Sequence, residues 1–263
     1  MTNLAKEKRK LIHCITNPIS VNQCANLILA LSCQPIMAEH PDEVCDISRT
    51  ADALLLNLGN ITDARLKSIT LTSQIAKALS IPTVFDAVGV ACSPIRRSFS
   101  LEVLETFSPT VIKGNYSEIK ALSNDSYSAR GVDGDKKIAI SEISEIAINL
   151  NRKYKSIILA SGEVDVICDK EKTIYIKNGC PELADITGTG CMLGAAVACF
   201  IAAEASIDSV AHACALLGIC GELASKEHGL GSFYTSLMDQ ISLITDSIIS
   251  KHIKKEEFPI EKF

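Results

Sequence analysis

Short, wholly apolar runs alternate along this chain with helix-length segments, and this alternation constrains its fold more than any other feature. The runs 53–56 and 157–159 contain no polar residue, which is typical of strands covered on both faces of a parallel sheet. The predicted strands are 11–15, 53–56, 83–86, 110–112, 156–160, 164–168 and 173–176. The predicted helices are 22–31, 62–79, 141–154, 190–203, 206–225 and 233–252. This order predicts a three-layer α/β/α fold with a mostly parallel central sheet.

The C-terminal part of the predicted sheet differs from the rest. The strands 164–168 and 173–176 flank the polar turn 169–172, which predicts a hairpin late in the sheet. Residues 251–263 are rich in charge, so we expect a frayed tail there. No repeat, linker or low-complexity segment interrupts the 263 residues, so we expect a single domain over residues 1–263.

Charge and composition argue against several classes of partner and compartment. The 26 basic and 31 acidic side chains give a net charge of −5, and aromatic residues make up only 5% of the chain, so we expect neither nucleic acid nor a membrane as a partner. The most apolar run, 192–203, is too short to span a bilayer. The 11 cysteines lack CxxC spacing, and no secretory segment precedes them. We therefore expect free thiols in a cytoplasmic protein.

Polar residues follow five of the predicted strands at the positions where each strand ends. They are Thr16-Asn17, Asn57, Asp86, Lys113-Gly114-Asn115 and Ser161-Gly162-Glu163. Ligands of open α/β sheets bind beyond the carboxyl ends of the strands. The sequence therefore predicts a cleft for a polar small molecule at this edge of the sheet.

The segment 185–192, with the sequence DITGTGCM, leads directly into the predicted apolar helix. Its two glycines allow the backbone to approach an anion, which would then face free N–H groups and the positive end of the helix dipole. A plain Thr or Gly helix cap without a ligand is the alternative. Cys191 lies in the first helical turn and favours a functional role, since a helix N-terminus is expected to lower the pKa of a thiol.

These motifs resemble those of the hydroxyethylthiazole kinase family, which has a ribokinase-like fold. The resemblance rests on residues 187–193 and extends to 13–18, 22–30, 32–44, 53–59, 111–119, 130–133 and 162–165. It implies transfer of a phosphoryl group from ATP to the hydroxyl of 4-methyl-5-(2-hydroxyethyl)thiazole, giving 4-methyl-5-(2-phosphooxyethyl)thiazole and ADP in thiamine biosynthesis or salvage. It also implies Mg²⁺ as cofactor and a homotrimer with active sites between subunits.

The resemblance further implies roles for individual residues. Cys191 corresponds to the residue that accepts or directs the proton of the substrate hydroxyl. Gly188, Thr189 and Gly190 correspond to the anion hole for the transferred phosphate. The remaining implied contacts are with Mg²⁺ (Asp86 and Glu118), with ATP (Lys113 and Ser161) and with the thiazole alcohol (Asn17, Met37 and Gly188).

Several of these residues have a purely structural alternative. Asp86 could cap a turn, Glu118 could begin an exposed helix, Met37 could fill the core, and Asn17 could form a turn before Pro18.

Three positions depart from the family's pattern. Ala87 stands where the family has Pro, Lys113 where it has Arg, and Ser161 where it has Thr. Arg binds phosphate as a bidentate fork and Lys as a point charge, so these changes are expected to act on ATP affinity rather than on the type of reaction.

Three other functions compete with this interpretation. A hydroxymethylpyrimidine kinase shares the Gly-Thr-Gly-Cys anion hole, but the blocks 13–18 and 35–38 favour the thiazole enzyme. A thiol hydrolase built on Cys191 needs a positioned His, and none lies near in sequence. We expect His13 to be a core residue, and His40, His212, His228 and His252 lack metal-ligand spacing. A non-catalytic nucleotide-binding regulator is disfavoured by the joint presence of Asp86, Glu118 and Cys191.

Overall fold

One sheet organises the fold of this computed structural model, which describes residues 9–124, 127–129, 131, 138–226 and 229–260. Its nine strands in the described ranges are β1 (Leu11–Ile15), β2 (Gln34–Ile36), β3 (Ala53–Asn57), β4 (Thr83–Asp86), β5 (Val111–Asn115), β6 (Ile157–Ser161), β7 (Asp165–Cys168), β8 (Lys172–Ile176) and β9 (Lys255–Pro259). They lie in the order β2-β1-β3-β4-β5-β6-β7-β8-β9. Neighbours from β2 to β6 are parallel, and β6 to β9 pair antiparallel.

Helices cover both faces of this sheet. They are α1 (Val21–Ala30), α2 (Val44–Ser48), α3 (Asp63–Leu79), α4 (Pro94–Thr106), α5 (Tyr116–Ser123), α6 (Ile140–Tyr154), α7 (Glu182–Asp185), α8 (Thr189–Ile201), α9 (Ile207–Ala224), α10 (Leu230–Leu243) and α11 (Asp246–His252). One buried apolar cluster joins the sheet to α1 and α8–α11, and a second joins it to α2–α6. The predicted three-layer architecture with a mostly parallel sheet is confirmed.

The two most apolar helices lie inside the protein. All residues of α8 from Met192 to Ile201 are buried, which explains why this helix is apolar on every side. Within the described residues, α9 alone is long and apolar enough to cross a membrane, and 72% of it is buried within the fold.

The C-terminal segment is better ordered than its charge suggested. The predicted hairpin is confirmed by the antiparallel pairing of β7 with β8. The prediction of a frayed tail over residues 251–263 is wrong for residues 251–260, because α11 extends to His252 and β9 pairs with β8 along its whole length. Lys255 bonds Asp208 at 2.9 Å, and the ring centroids of Phe258 and Tyr175 lie 5.0 Å apart. The charges of this segment therefore belong to an exposed edge strand, where Lys and Pro also limit pairing with other chains. Residues 261–263 lie outside the described part.

Other boundaries also differ from the prediction. The single predicted helix 233–252 is two helices, because the Thr245 hydroxyl accepts the N–H of Ile248 and begins α11. The predicted strand 110–112 continues to Asn115, because β5 pairs with β6 as far as Ser161. The sequence did not predict β2, α2, α5 and α7, which are short, or α4, whose 13 residues have a weak apolar periodicity.

Strand register brings the polar strand ends together, as the sequence predicted. Asn57 at the end of β3 pairs with Asp86 at the end of β4, and Asp86 pairs with Lys113 on β5. Asn115 pairs with Ser161 at the end of β6. The carboxyl ends of five adjacent parallel strands, β1 and β3–β6, thus form one continuous polar edge.

Candidate active site

Cys191 lies in the first turn of α8, directly above this polar edge. Its Sγ accepts hydrogen bonds from Asn17 Nδ2 at 3.3 Å and from Asn57 Nδ2 at 3.4 Å. Asn17 follows β1 and Asn57 ends β3, so the ends of two adjacent strands hold the sulfur. The thiol is thereby fixed at the carboxyl edge of the sheet, where ligands of this architecture bind.

The start of α8 is built to leave its backbone N–H groups open. Gly188 is the N-cap residue with φ of +95°, and a Cβ at this position would collide with Gln23 Oε1. No side chain caps α8 in the structure. The Thr189 hydroxyl instead donates to the carbonyls of Leu183 and Ile186, at 2.7 and 3.1 Å. Of the plain caps considered, a Thr cap is therefore wrong and Gly188 is the cap residue, which leaves the first-turn N–H groups available to an anion.

A buried ion pair lies beside this helix start. Lys113 Nζ is 3.0 Å from Asp86 Oδ1 and 3.1 Å from Oδ2, and both side chains are buried. A Cβ on Gly190 would lie 3.9 Å from Lys113 Nζ, so the ammonium faces the first turn of α8. Asp86 therefore pairs with a cation rather than capping a turn. Burial by itself would lower the pKa of Lys113, but the nearby charges of Asp86, Cys191 and Glu118 raise it by more. The net pKa is therefore above the usual value of a lysine, and the ammonium stays charged.

Glu118 is a second buried carboxylate at this edge. It occupies the first turn of α5, where its Oε2 accepts the N–H of Asn115 at 2.7 Å and the Asn115 side chain accepts the N–H of Glu118. Its Oε1 accepts the N–H of Gly89 at 2.8 Å. Glu118 does begin a helix, but it is buried rather than exposed. Burial, with a smaller contribution from Asp86, raises the pKa of Glu118 to about 7.

The pKa of Cys191 shifts opposite to the sequence-based expectation. Burial, and next the carboxylate of Asp86, raise the pKa of this thiol. Lys113 and hydrogen bonds from Ser20 and Asn17 oppose this shift without reversing it. The expectation of a lowered pKa is wrong, because the helix start adjoins both a desolvated pocket and a negative charge.

Met37 and Ser161 lie on opposite sides of Cys191. Met37 follows β2 and is partly buried against the cluster around α8, whereas Ser161 ends β6 and its hydroxyl donates to the Gly114 carbonyl at 3.4 Å. Five strand spacings separate β2 from β6 in the sheet, or roughly 24 Å at about 4.8 Å each. Cys191 and Asp86 lie between the two sides.

Asn17 combines a structural and a site position. Its Oδ1 accepts the N–H groups of Ile19 and Ser20, both at 3.1 Å, so it does form the turn that leads into α1. Its Nδ2 at the same time reaches Cys191 and Asn57.

Sequence reasoning missed the part played by Asn57, Gly59 and Gln23. Asn57 was recognised only as a polar strand end, yet it bonds both Asp86 and Cys191. A Cβ on Gly59 would lie 2.6 Å from Asn17 Nδ2, so only glycine allows this packing. Gln23 Nε2 donates to the Thr187 carbonyl at 2.9 Å, while its buried Oε1 has no hydrogen-bond partner within the described ranges. The sequence did contain a signal for Asn57, because this amide ends a wholly apolar strand and a glycine, Gly59, follows two residues later.

Among the residues that the structure describes, no histidine bonds Cys191. Both ring nitrogens of His13 are engaged, with Ser48 Oγ at 3.0 Å and the Ala38 carbonyl at 2.9 Å, so His13 is the predicted core residue. Within the described ranges, the hydrogen-bond partners of Cys191 are amides and a hydroxyl, which does not support a thiol hydrolase. His228 and most of the block 130–133 lie outside those ranges.

Comparisons with known proteins agree on one family. A family model described as the hydroxyethylthiazole kinase family matches residues 2–247. Hydroxyethylthiazole kinase 2 of Clostridium botulinum strain Hall is 44% identical over 254 residues, which are 95% of this chain and 96% of that protein. Hydroxyethylthiazole kinase of Finegoldia magna is 42% identical, with 92% and 90% covered.

Solved structures show the same similarity. A hydroxyethylthiazole kinase protein from Pyrococcus horikoshii superposes with a TM-score of 0.87 at 31% identity, covering 95% of this chain and 94% of that one. The pyridoxal kinase of Staphylococcus aureus in complex with AMP-PCP and pyridoxal superposes with a TM-score of 0.68 at 14% identity, covering 96% and 100%. This second similarity shows the fold alone.

Proposed function

Because the chain belongs to the hydroxyethylthiazole kinase family and has a ribokinase-like fold, it phosphorylates 4-methyl-5-(2-hydroxyethyl)thiazole with ATP in thiamine salvage, and we propose that Cys191 and the start of α8 form the centre of this reaction. One observation carries the proposal. Cys191 lies in the first turn of a helix that starts at a left-handed glycine without a side-chain cap, beside the buried Lys113–Asp86 pair.

The helix start suits a transferring phosphoryl group. Phosphoryl transfer depends mainly on alignment and on stabilising charge over the moving group. The backbone N–H groups of Gly188, Thr189 and Gly190 form the proposed anion hole, and the Lys113 ammonium adds a positive charge beside it. Neither contribution needs a covalent step.

Cys191 has the position of the group that orients the substrate hydroxyl. Its sulfur accepts two amide N–H bonds, which holds it as an acceptor for the hydroxyl proton. Because burial raises the pKa of Cys191, its thiolate forms only at a higher pH than that of an ordinary cysteine. We therefore propose that it orients the hydroxyl at neutral pH and acts as a base increasingly above it.

The donor set suits Mg²⁺. Two buried carboxylates, Asp86 and Glu118, adjoin one buried ammonium. Burial first, and then the charge of Asp86, raises the pKa of both Glu118 and Cys191, so a further cation beside these groups would be stabilised. Among the described residues no group of three or more His, Cys, Asp or Glu side chains could hold a metal, so the protein supplies few ligands. Mg²⁺ is commonly held by one or two carboxylates together with substrate phosphates, whose charge it neutralises. Asp86 and Glu118 would hold it here.

The opposite positions of Met37 and Ser161 divide the cleft. We propose that the thiazole alcohol binds on the side of Asn17 and Met37, next to β1 and β2, and contacts Gly188. ATP binds on the side of Ser161, with its phosphates directed to Lys113. The two substrates thus meet at Cys191, between the two sides.

Quaternary structure and compartment follow from the family resemblance. We propose a single-domain cytoplasmic protein that forms a homotrimer with active sites between subunits. The side chain of Ile19, two residues from Asn17, is 65% exposed, which supports a contact with a neighbouring subunit beside the site. Light scattering is expected to give three times the chain mass of 28.2 kDa.

A coupled assay of ATP consumption tests the function. We expect turnover with the thiazole alcohol and none with the hydroxymethylpyrimidine alcohol or without an acceptor. Excess EDTA, Asp86→Asn and Glu118→Gln are each expected to lower the rate sharply with folding intact. Preference for the pyrimidine alcohol would overturn the substrate, and full activity in EDTA would remove the metal.

Variants of Cys191 test its role within that reaction. General-base catalysis contributes about 10²–10⁴-fold, so Cys191→Ala is expected to keep measurable activity and Cys191→Asp to remain more active. Intact-mass analysis during turnover should find no adduct on Cys191. An adduct together with an inactive Asp variant would point instead to a covalent thiol nucleophile.

A further inference from the structure

Asn57 makes every hydrogen bond that an amide side chain can make, and it makes them at the centre of the site. Its side chain is fully buried at the end of β3. The Oδ1 atom accepts the N–H of Gly59 at 2.8 Å and the Nδ2 of Asn17 at 3.1 Å. The Nδ2 atom donates to Asp86 Oδ2 at 2.8 Å and to Cys191 Sγ at 3.4 Å. Two donors and two acceptor positions exhaust the capacity of the group.

The orientation of this amide is fixed by its partners. The backbone N–H of Gly59 can only donate, and the carboxylate of Asp86 can only accept when ionised, so a flipped amide would oppose like groups at both ends. Asn17 is fixed in the same way, because its Oδ1 accepts the N–H groups of Ile19 and Ser20. Both amides therefore present N–H groups to the sulfur, and neither can accept a bond from the thiol.

We propose that Asn57 is a positioning residue for the phosphoryl transfer, which links Asp86 to Cys191 and holds the sulfur as the acceptor of the substrate's hydroxyl proton. The inference rests on the proposed role of Cys191. Asn57 reaches the substrate only through that sulfur, whereas its second N–H keeps the Asp86 carboxylate in place.

A double-mutant cycle tests this action through Cys191. Asn57→Leu removes the donors at similar volume, and Asn57→Leu with Cys191→Ala completes the cycle with the two single variants. When Cys191 is present, we expect Asn57→Leu to lower kcat about ten- to a hundredfold, which is the range for a lost hydrogen bond to a charged group. The KM for the alcohol should change less than about threefold. With Cys191→Ala, the further loss from Asn57→Leu should be less than about threefold.

Asn151→Leu is the matched control for the loss of a buried amide. Asn151 is also buried, and its Nδ2 donates to the Ser156 carbonyl at 2.8 Å at the opposite end of β6. This variant should lose stability but keep its kcat. An equal loss of kcat from Asn57→Leu in both Cys191 backgrounds would overturn the inference, since the effect would then run through Asp86 or through general packing.

A second measurement decides the question if activity is too low in the Cys191→Ala background. The rate of carbamidomethylation of Cys191 by iodoacetamide at a fixed pH, followed on its proteolytic peptide, reports on the donors that stabilise the thiolate. Asn57→Leu should slow it severalfold. An unchanged rate, or a faster one as in a merely loosened site, overturns the inference. Absence of turnover by the unmodified enzyme would instead refute the proposed function and leave this measurement to judge Asn57.

Discussion

Replacing Glu118 with Gln should change how the stability of the protein depends on pH. Burial, with a smaller contribution from Asp86, raises the pKa of Glu118 from 4.5 to about 7 in the folded state. The folded protein therefore binds more protons than the unfolded chain between these two values. The free energy of unfolding must then fall as the pH rises from 4.5 to 7, and it stays flat above that range.

The size of the effect follows from this shift. The difference between a pKa of 4.5 and one of about 7 corresponds to about 3.4 kcal/mol of unfolding free energy, of which about 2.5 kcal/mol is lost between pH 5 and pH 8. The amide of the variant has one acceptor oxygen for the two N–H groups of Gly89 and Asn115, which costs about 1 kcal/mol at every pH. We therefore expect Glu118→Gln to be similar in stability to the parent, or less stable, at pH 5. At pH 8 it should be more stable by about 2 kcal/mol.

Urea unfolding followed by circular dichroism between pH 5 and 8, in EDTA and without nucleotide, measures this difference. Glu102→Gln is the control, because Glu102 is an exposed acid on α4 and its replacement should give a curve parallel to the parent's. Parallel curves for Glu118→Gln as well would refute the reasoning, since they would show that the buried carboxyl carries no charge penalty. Added Mg²⁺ should raise the stability of the parent at pH 8 more than that of Glu118→Gln.

Two further substitutions test the anion hole and its neighbouring ion pair. Lys113→Met leaves Asp86 buried without its cation and should cost about 3–5 kcal/mol in urea unfolding, whereas Lys113→Arg should stay folded with an equal or lower KM for ATP. A stable Met variant, or a large rise in KM for the Arg variant, would contradict this. Gly188→Ala places a Cβ at positive φ and against Gln23, so kcat/KM should fall at least about tenfold through a displaced helix start. Gly231→Ala, where a Cβ meets nothing within 4 Å, should match the parent in the same assay.

The sequence alone was sufficient for the architecture and for the place of the site. Apolar runs as short as 53–56 and 157–159 are typical of strands that are covered on both faces, and such strands alternating with helices indicate a parallel sheet between two helical layers. A parallel sheet aligns its carboxyl ends, so the polar residues after each apolar run had to meet at one edge. The Gly188–Gly190 segment before the apolar helix pointed to the same edge, because both signals are local in sequence.

Tertiary structure decided how these residues act on one another. Cys191 is separated by 134 residues from Asn57 and by 174 from Asn17, and no local pattern predicts which side chains will surround a thiol at such distances. Its pKa is set by burial and by Asp86 rather than by the helix to which it belongs. The pairing of β9 was hidden for the same reason, since an edge strand with charged side chains resembles a tail until its partner is known. Local propensity depends on neighbours in sequence, whereas desolvation, charge and hydrogen bonding depend on neighbours in space.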